Sequence, residues 1–267
     1  MPPDNRAVDP VLDVDWAAHW RHLVESRAAQ KGDRQEGYWE RRAQSYGAWR
    51  RSQHDLFLEF LAPWLSPTRT LIDVGAGTGR HAVELAARLD WVTAVEPSQG
   101  MRDQIPPTEN MTVIASAWED ADPAPADLVI CVHVLYAVAE PVAFIEKLER
   151  HARERVFLVL RDSQHAHPAE RMVAASRVRE PRLRDCFLLL RQLDVAPELS
   201  FLRYPASFSF QSLEAAAEDC RLHLGAHWDE VSGPAWLEAN LEPRGDGTLL
   251  YDAGEVTAGI LHWKPRT

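Results

Sequence analysis

The sequence predicts an α/β fold, a mostly parallel sheet with helices on both faces. Three observations predict it. Between residues 69 and 161, short apolar runs alternate with stripes at helical spacing. The longest apolar run, LVICVHVLYAVA at residues 128–139, shows no polar alternation, as expected of a strand covered on both faces. A glycine-rich turn, GAGTG at residues 75–79, follows the first strand-like run, where open α/β sheets bind their ligands.

The elements follow in order. Leu12, Trp16, Trp20 and Leu23 fall on one face of a first helix. The polar stretch ESRAAQKGDRQEG after it reads as a loop. Trp39, Ala43 and Tyr46 share a helical face, as do Leu56, Phe57, Phe60, Leu61 and Trp64. TLIDV is strand one, and Ala82, Leu85, Ala86 and Leu89 mark the helix behind it. WVTAVE is strand two, SQGMRDQ a short helix and MTVIAS strand three. ADLVICVHV is strand four, and Phe144, Ile145 and Leu148 stripe the next helix. RVFLVLR is strand five. Beyond it the pattern predicts a helix from Glu170 to about Leu193, an extended LSFLRYPASFSF, and a helix capped by Ser212 and striped by Leu213, Ala216, Ala217, Cys220 and Leu224. GTLLYDAGEVTAGILHW reads as a hairpin turning at Asp252 and Gly254. The expected organisation is a helical cap at 1–66, a ligand-binding core at 67–162, a helical lid insertion at 163–245, and a hairpin at 246–267 that completes the sheet.

A chain of 267 residues is long enough for one sizeable core with elaborations. Net charge is −11, and no Lys/Arg run forms a nucleic-acid or anionic-membrane footprint. Cys131, Cys186 and Cys220 fit neither a disulfide framework nor a zinc site, so free thiols in a reducing cytoplasm are expected. The opening MPPDNRAVDP is not a secretory signal, and no apolar run is long enough to span a bilayer.

Gly75, Gly77 and Gly79 give G-x-G-x-G, with Arg80 where a dinucleotide fingerprint has its third glycine. No G-K-[ST] follows, so a phosphate loop is excluded. Glu96 ends the second strand, 19 positions after Gly77, where an acid suits ribose hydroxyls. The turn therefore reads as a nucleoside site without a diphosphate. Asp73, at the tip of strand one, is placed to bind an ammonium group directly or through water.

LIDVGAGTGR, AVEPS with Met101, ASAWED, and ADLVICVHVLYAV with Pro141 and FIEKL resemble, in order and spacing, the class I S-adenosylmethionine-dependent methyltransferases, especially their small-molecule branch. The resemblance covers residues 69–161. It implies a Rossmann-like, seven-stranded, mostly parallel sheet with an antiparallel last strand. It implies S-adenosyl-L-methionine as cofactor and S-adenosyl-L-homocysteine as product. Asp73, Gly75, Ala76, Gly77 and Gly79 would line the methionine half, and Glu96, followed by Pro97, would take the ribose hydroxyls. Met101 would pack on the adenine, with plain core the competing role; Ala117, Trp118 and Glu119 would meet the ring edge. Cys131, Val132 and His133 would lie under the sulfonium, and Tyr46 and Trp39 match an aromatic helix that closes over the cofactor. Asp127 reads as orienting strand four.

Methyl transfer asks the protein to hold the acceptor aligned and desolvated, and for some acceptors to remove a proton. His133, Tyr136, His165 and His167 are the candidate bases, His133 the best placed of them. No metal set accompanies them. Phe187, Phe201, Tyr204, Phe208 and Trp236 are available to line an apolar pocket or to fill lid core. The resulting expectation is methyl transfer to oxygen, nitrogen or carbon of a small molecule held under a lid, without nucleic acid or membrane and with the oligomeric state open. The competing readings are a protein methyltransferase, a non-catalytic cofactor-binding partner subunit, and a nicotinamide dehydrogenase, the last disfavoured by the missing glycine.

Overall fold

A computed structural model describes residues 14–31, 39–40, 43, 55–163, 166–173 and 178–266. The first helix, α1, spans Trp16–Lys31. Helix α2 (Leu56–Leu61) follows and tightens into a 3₁₀ turn, Ala62–Trp64. Then come β1 (Thr70–Val74), α3 (Arg80–Ala86), β2 (Trp91–Val95), α4 (Gln99–Arg102) and β3 (Met111–Ile114). They are followed by β4 (Ala126–Val132), α5 (Pro141–His151), β5 (Ala152–Arg161), α6 (Pro168–Met172) and α7 (Leu183–Gln192). The chain ends with β6 (Glu198–Phe210), α8 (Leu213–Leu224), α9 (Ser232–Asn240), the two-residue β7 (Glu242–Pro243) and β8 (Leu249–Trp263).

The sheet runs β3-β2-β1-β4-β5-β8-β6, with β7 on β8. Strands β1 to β5 are parallel, whereas β8 lies antiparallel to both β5 and β6. Alternate residues of the central strands feed two apolar layers. Ile72, Val74, Val129, Cys131, Val156 and Leu158 face α5 and α7, which contribute Phe144, Ile145, Leu148, Leu183 and Leu189. Leu71, Val92, Leu128, Ile130, Phe157 and Ile260 face α2 and α3, which contribute Phe57, Leu61, Ala82 and Leu85. Each fully buried Leu or Ile stabilises by roughly 1.5–3 kcal/mol, so both helix layers are held firmly to the sheet. Thr70 donates its N–H to Asp127 at 2.8 Å, fixing the entry of β1 beside β4 as strand-orienting acids do.

Four expectations change. The first part of the stretch expected as a loop, residues 25–31, is helical, because α1 continues to Lys31, and its remainder lies outside the described residues. Glu, Arg, Ala, Gln and Lys are strong helix formers, and Arg27 anchors that end by a 2.6 Å ion pair with Glu170. The helix expected from Glu170 to Leu193 is two helices, with non-helical Val178–Arg182 before the second; Pro181 has no N–H to continue a helix. The extended segment after it is the long strand β6, so residues 163–245 contribute to the sheet as well as to helices. The hairpin expected at 248–263 is instead one strand. Ala253 is a bulge between the pairs Ser207↔Asp252 and Ala206↔Gly254, and Asp252 accepts the Gly254 N–H at 2.8 Å. The Asp-x-Gly signal thus bends the strand without reversing it.

Strand β5 ends at Arg161, opposite Ala258. Residues 249–257 of β8 and 203–210 of β6 run on past that end as a two-stranded ribbon. Phe208, Phe210 and Tyr251 on the ribbon pack with Ala216, Cys220 and Leu224 of α8 and Leu237 of α9 in a third apolar cluster. Among the described residues, no helix is long and apolar enough to cross a membrane.

Candidate cofactor and acceptor site

The site is built at the carboxyl ends of β1, β2, β4 and β5. Gly75, Gly77 and Gly79 all have positive φ, at 70°, 57° and 76°, which side chains resist. A Cβ on Gly75 would run into the Val134 side chain, so the turn touches the segment leaving β4. A Cβ on Gly77 would meet nothing within 4 Å, so the turn faces open space there. The Gly75 and Ala76 N–H groups donate to the Val95 carbonyl at 2.8 and 3.1 Å, tying the turn to the end of β2.

Glu96 follows β2 and is buried. Its Oε2 accepts the Gly77 N–H at 2.8 Å and its Oε1 the Ser98 N–H at 2.8 Å. Each oxygen keeps a lone pair for a further donor. Burial raises the Glu96 pKa, against these backbone bonds. Asp73, at the end of β1, is 1% exposed, and its Oδ2 has no hydrogen-bond partner. Burial pushes its pKa up to about 6, with help from the Glu96 charge and against the pull of His81 and the Ala82 amide.

Ser98 caps α4, accepting the Met101 N–H at 3.3 Å, and Met101 is 2% exposed. Glu40 accepts the Gln99 N–H at 2.9 Å and the Gly100 N–H at 2.5 Å, which brings the amino-terminal segment to α4. Pro97 is exposed beside them. Asp55 caps α2 through Oδ1 and grips α3 through Oδ2, 2.9 Å from Arg80 and 3.1 Å from His81. Despite burial, the contacts with His81 and Arg80 hold the Asp55 carboxyl well below the usual carboxylate range. Trp118 lies in the core, its ring 5.1 Å from His151 and 6.4 Å from Phe144. Ala117 is half-buried and Glu119 exposed beside it; the Glu119 carbonyl accepts from Lys147.

At the end of β4, Cys131 is fully buried, and burial and the nearby Asp73 raise its pKa, so it stays a thiol. Val132 packs against the layer under α2 and α3. His133 is in the left-handed region at φ 60°, and its N–H donates to the Val159 carbonyl of β5 at 3.0 Å. Its Nδ1 lies 3.0 Å from the Tyr136 hydroxyl, and the two rings stack with a 15° tilt. That hydroxyl also accepts the Arg161 N–H at 2.5 Å. Burial raises the Tyr136 pKa, so it remains a phenol. The Arg161 guanidinium sits 4.1 Å over the Tyr136 ring and pairs with both oxygens of Glu180, at 2.9 and 3.0 Å.

The structure therefore brings together Asp73, the glycine turn, Glu96, Met101, His133 and Tyr136. His167 lies elsewhere, in the third cluster's polar margin: it contacts Asp219 at 2.7 Å and stacks on His223 at 4.3 Å. Trp39 is half-exposed next to Glu40 in sequence, and Tyr46 and His165 lie outside the described residues. The five aromatics available to line an apolar pocket or to fill lid core do not share one place. Phe187, on α7, packs against the first apolar layer, Tyr204 lies against the α2–α3 layer, Phe208 and Trp236 are in the third cluster, and Phe201 is exposed. Glu40, Asp55, Arg161 and Glu180 escaped the sequence reading, because isolated charges carry no periodicity; only Arg161, closing strand five at the ligand edge, had a positional signal. No group of residues among those described has the makings of a metal site.

The methyltransferase-domain profile matches residues 38–196. Among curated proteins none matches the chain. Among solved structures, the chain is similar to a protein described as a methyltransferase from Bacillus halodurans C-125, at 14% identity and TM-score 0.53, covering 80% of this chain and 99% of that one. It is also similar to a protein described as a methyltransferase from an antibiotic biosynthesis pathway of Anabaena variabilis ATCC 29413, at 17% identity and TM-score 0.53, covering 77% of this chain and 96% of that one. Both likenesses show a shared fold. The profile match takes in more than half the residues, from before β1 to beyond α7, and the chain thus belongs to the methyltransferase-domain family, whose methyl donor is S-adenosyl-L-methionine and whose product is S-adenosyl-L-homocysteine.

Proposed function

We propose that this chain moves the methyl group of S-adenosyl-L-methionine to an oxygen, nitrogen or carbon atom of a small molecule held at the carboxyl ends of β4 and β5. The observation that carries the reading is the buried, unpartnered Oδ2 of Asp73 beside a glycine turn that opens onto free space at Gly77. An orphaned buried carboxylate oxygen costs about 1–3 kcal/mol or more, which a cationic ligand group relieves. Asp73 and the turn would hold the methionine half, Glu96 the ribose, and Met101 with the 117–119 backbone the adenine. Bound there, the cofactor supplies a methyl group on a sulfonium, which leaves without activation.

The chain's own work is positioning and proton removal. Val134 lies against Gly75, so His133 stands next to the turn, where it would face the acceptor. His133 takes the acceptor's proton where the acceptor carries one, and Tyr136 orients its ring. The helices α8 and α9, carried on the ribbon, would cap the acceptor. The net charge of −11 opposes a nucleic-acid acceptor.

Calorimetric titration with S-adenosylmethionine and S-adenosylhomocysteine tests the cofactor site; saturable binding of both is expected. Incubation of a cell extract with methyl-labelled cofactor then tests the acceptor class. Label in the small-molecule fraction is expected; label in protein would make the chain a protein methyltransferase. No binding of either nucleoside to folded protein would refute the reading.

A further inference from the structure

Two arginines flank the acceptor side. Leu183, the first residue of α7, is so close to Gly259 that a Cβ there would strike it, and Gly259 pairs with Leu160, next to Arg161. The start of α7 therefore sits over the carboxyl end of β5. Arg182 immediately precedes it.

The charges around this point are paired in a particular way. Arg179 binds both oxygens of Asp185, at 2.5 and 2.8 Å. Arg161 binds both oxygens of Glu180 through Nε and Nη2, leaving Nη1 without a hydrogen bond to any described residue. Arg182 has neither ion pair nor side-chain hydrogen bond among the described residues, and its Nε is buried without a partner. Burial, and then the charge of Arg179, press its pKa down, against the pull of Glu180 and Asp185. A half-buried guanidinium without an acceptor is costly unless a ligand supplies one.

We propose that the methyl acceptor bears a carboxylate, held by Arg182 and the outer edge of Arg161. The inference rests on the methyl-transfer reading above and names its substrate class. A guanidinium edge matches a planar carboxylate with two parallel hydrogen bonds. Arg179 is paired with Asp185 and Arg161 with Glu180, and Arg184 lies 3.9 Å from Asp185 with its side chain largely in solvent, so Arg182 is the half-buried cation left for a carboxylate. From that anchor the acceptor extends past Tyr136, whose ring lies under Arg161, to His133 at the glycine turn. The contiguity of Arg161, Tyr136, His133 and Val134 with Gly75 makes one continuous edge from the carboxylate anchor to the cofactor turn.

The test uses the full chain, with and without saturating S-adenosylhomocysteine, and benzoate as probe with benzamide as its uncharged match. Calorimetry or NMR titration should show saturable benzoate binding about tenfold or more tighter than benzamide. Arg182→Gln should weaken benzoate by about tenfold, with S-adenosylhomocysteine affinity unchanged. Arg184→Gln, which removes a neighbouring exposed charge, should change benzoate binding less than about twofold. Absent benzoate binding, equal binding of benzamide, an indifferent Arg182→Gln, or a preference for phenyl phosphate would overturn the carboxylate assignment. Failure of S-adenosylhomocysteine to bind would instead strike the cofactor reading, and the benzoate arm without nucleoside reads independently of it.

Discussion

Asp73→Asn separates the cost of a buried charge from its use. The wild-type carboxyl is pushed from an ordinary 3.8 up to about 6. At 1.36 kcal/mol per pH unit, keeping it ionised in the folded protein costs about 3 kcal/mol above pH 7. Because the folded value is the higher one, that stability is intact below pH 3.8 and disappears as pH rises through 6. About half of the cost is already present at pH 5. The asparagine variant has the same shape and no charge, so urea unfolding should find it more stable than wild type by up to about 3 kcal/mol at pH 7.5, and by about half that at pH 5. Binding should move the other way. A cationic ligand group favours ionised Asp73, so wild-type affinity for S-adenosylhomocysteine should climb between pH 5 and 7, with proton release seen by calorimetry in two buffers. The variant should bind about tenfold or more weakly with a flatter pH dependence. A variant less stable than wild type at pH 7.5, with unchanged ligand affinity, would refute the argument that Asp73 is held uncompensated for the ligand.

Three other substitutions probe the remaining parts. Glu96→Ala should weaken S-adenosylmethionine binding by about 1–3 kcal/mol, read by calorimetry, since it removes a charged acceptor and frees the Gly77 and Ser98 amides. His133→Ala should keep cofactor affinity and lower turnover by about 10²–10⁴-fold once an acceptor is in hand; full activity would show that the acceptor needs no base. Gly259→Ala should destabilise by about 1–3 kcal/mol, because its methyl must displace Leu183, and an unchanged melting temperature would mean that α7 yields freely.

The parallel core was legible because each central strand is buried on two faces, so Leu71, Ile72, Leu128 and Val129 write themselves as unbroken apolar runs. Gly75, Gly77 and Glu96 were legible because backbone conformation and strand length fix their spacing. The later strands were not. A bulge and a hairpin turn draw on the same residues, so Asp252 and Gly254 signalled a reversal where the partner strand is in fact 198–210. Long-range pairing of that kind leaves no local trace. The same holds for Arg161 with Glu180 and for Arg27 with Glu170, whose meaning exists only once helices and strands have been brought together. Trp118, which the resemblance matches to the adenine edge, packs on Phe144 and His151 in the core, a contact that no local pattern announces.

The ribbon beyond β5 has a consequence for how such a site changes its substrate. Residues 249–257 span roughly 30 Å at a strand's rise, and they are the same hydrogen-bonded strand that closes the core. A cap built on α8 and α9, as proposed above, would be a cantilever of the sheet, with its reach counted in residues. Exchanging single side chains along it adjusts the contour one knob at a time. Removing one residue turns every side chain beyond it to the opposite face. On the proposed reading, new acceptors would be reached by gradual relining, and insertions or deletions would be best survived at the ribbon's far end, where residues 244–248 turn back into β8.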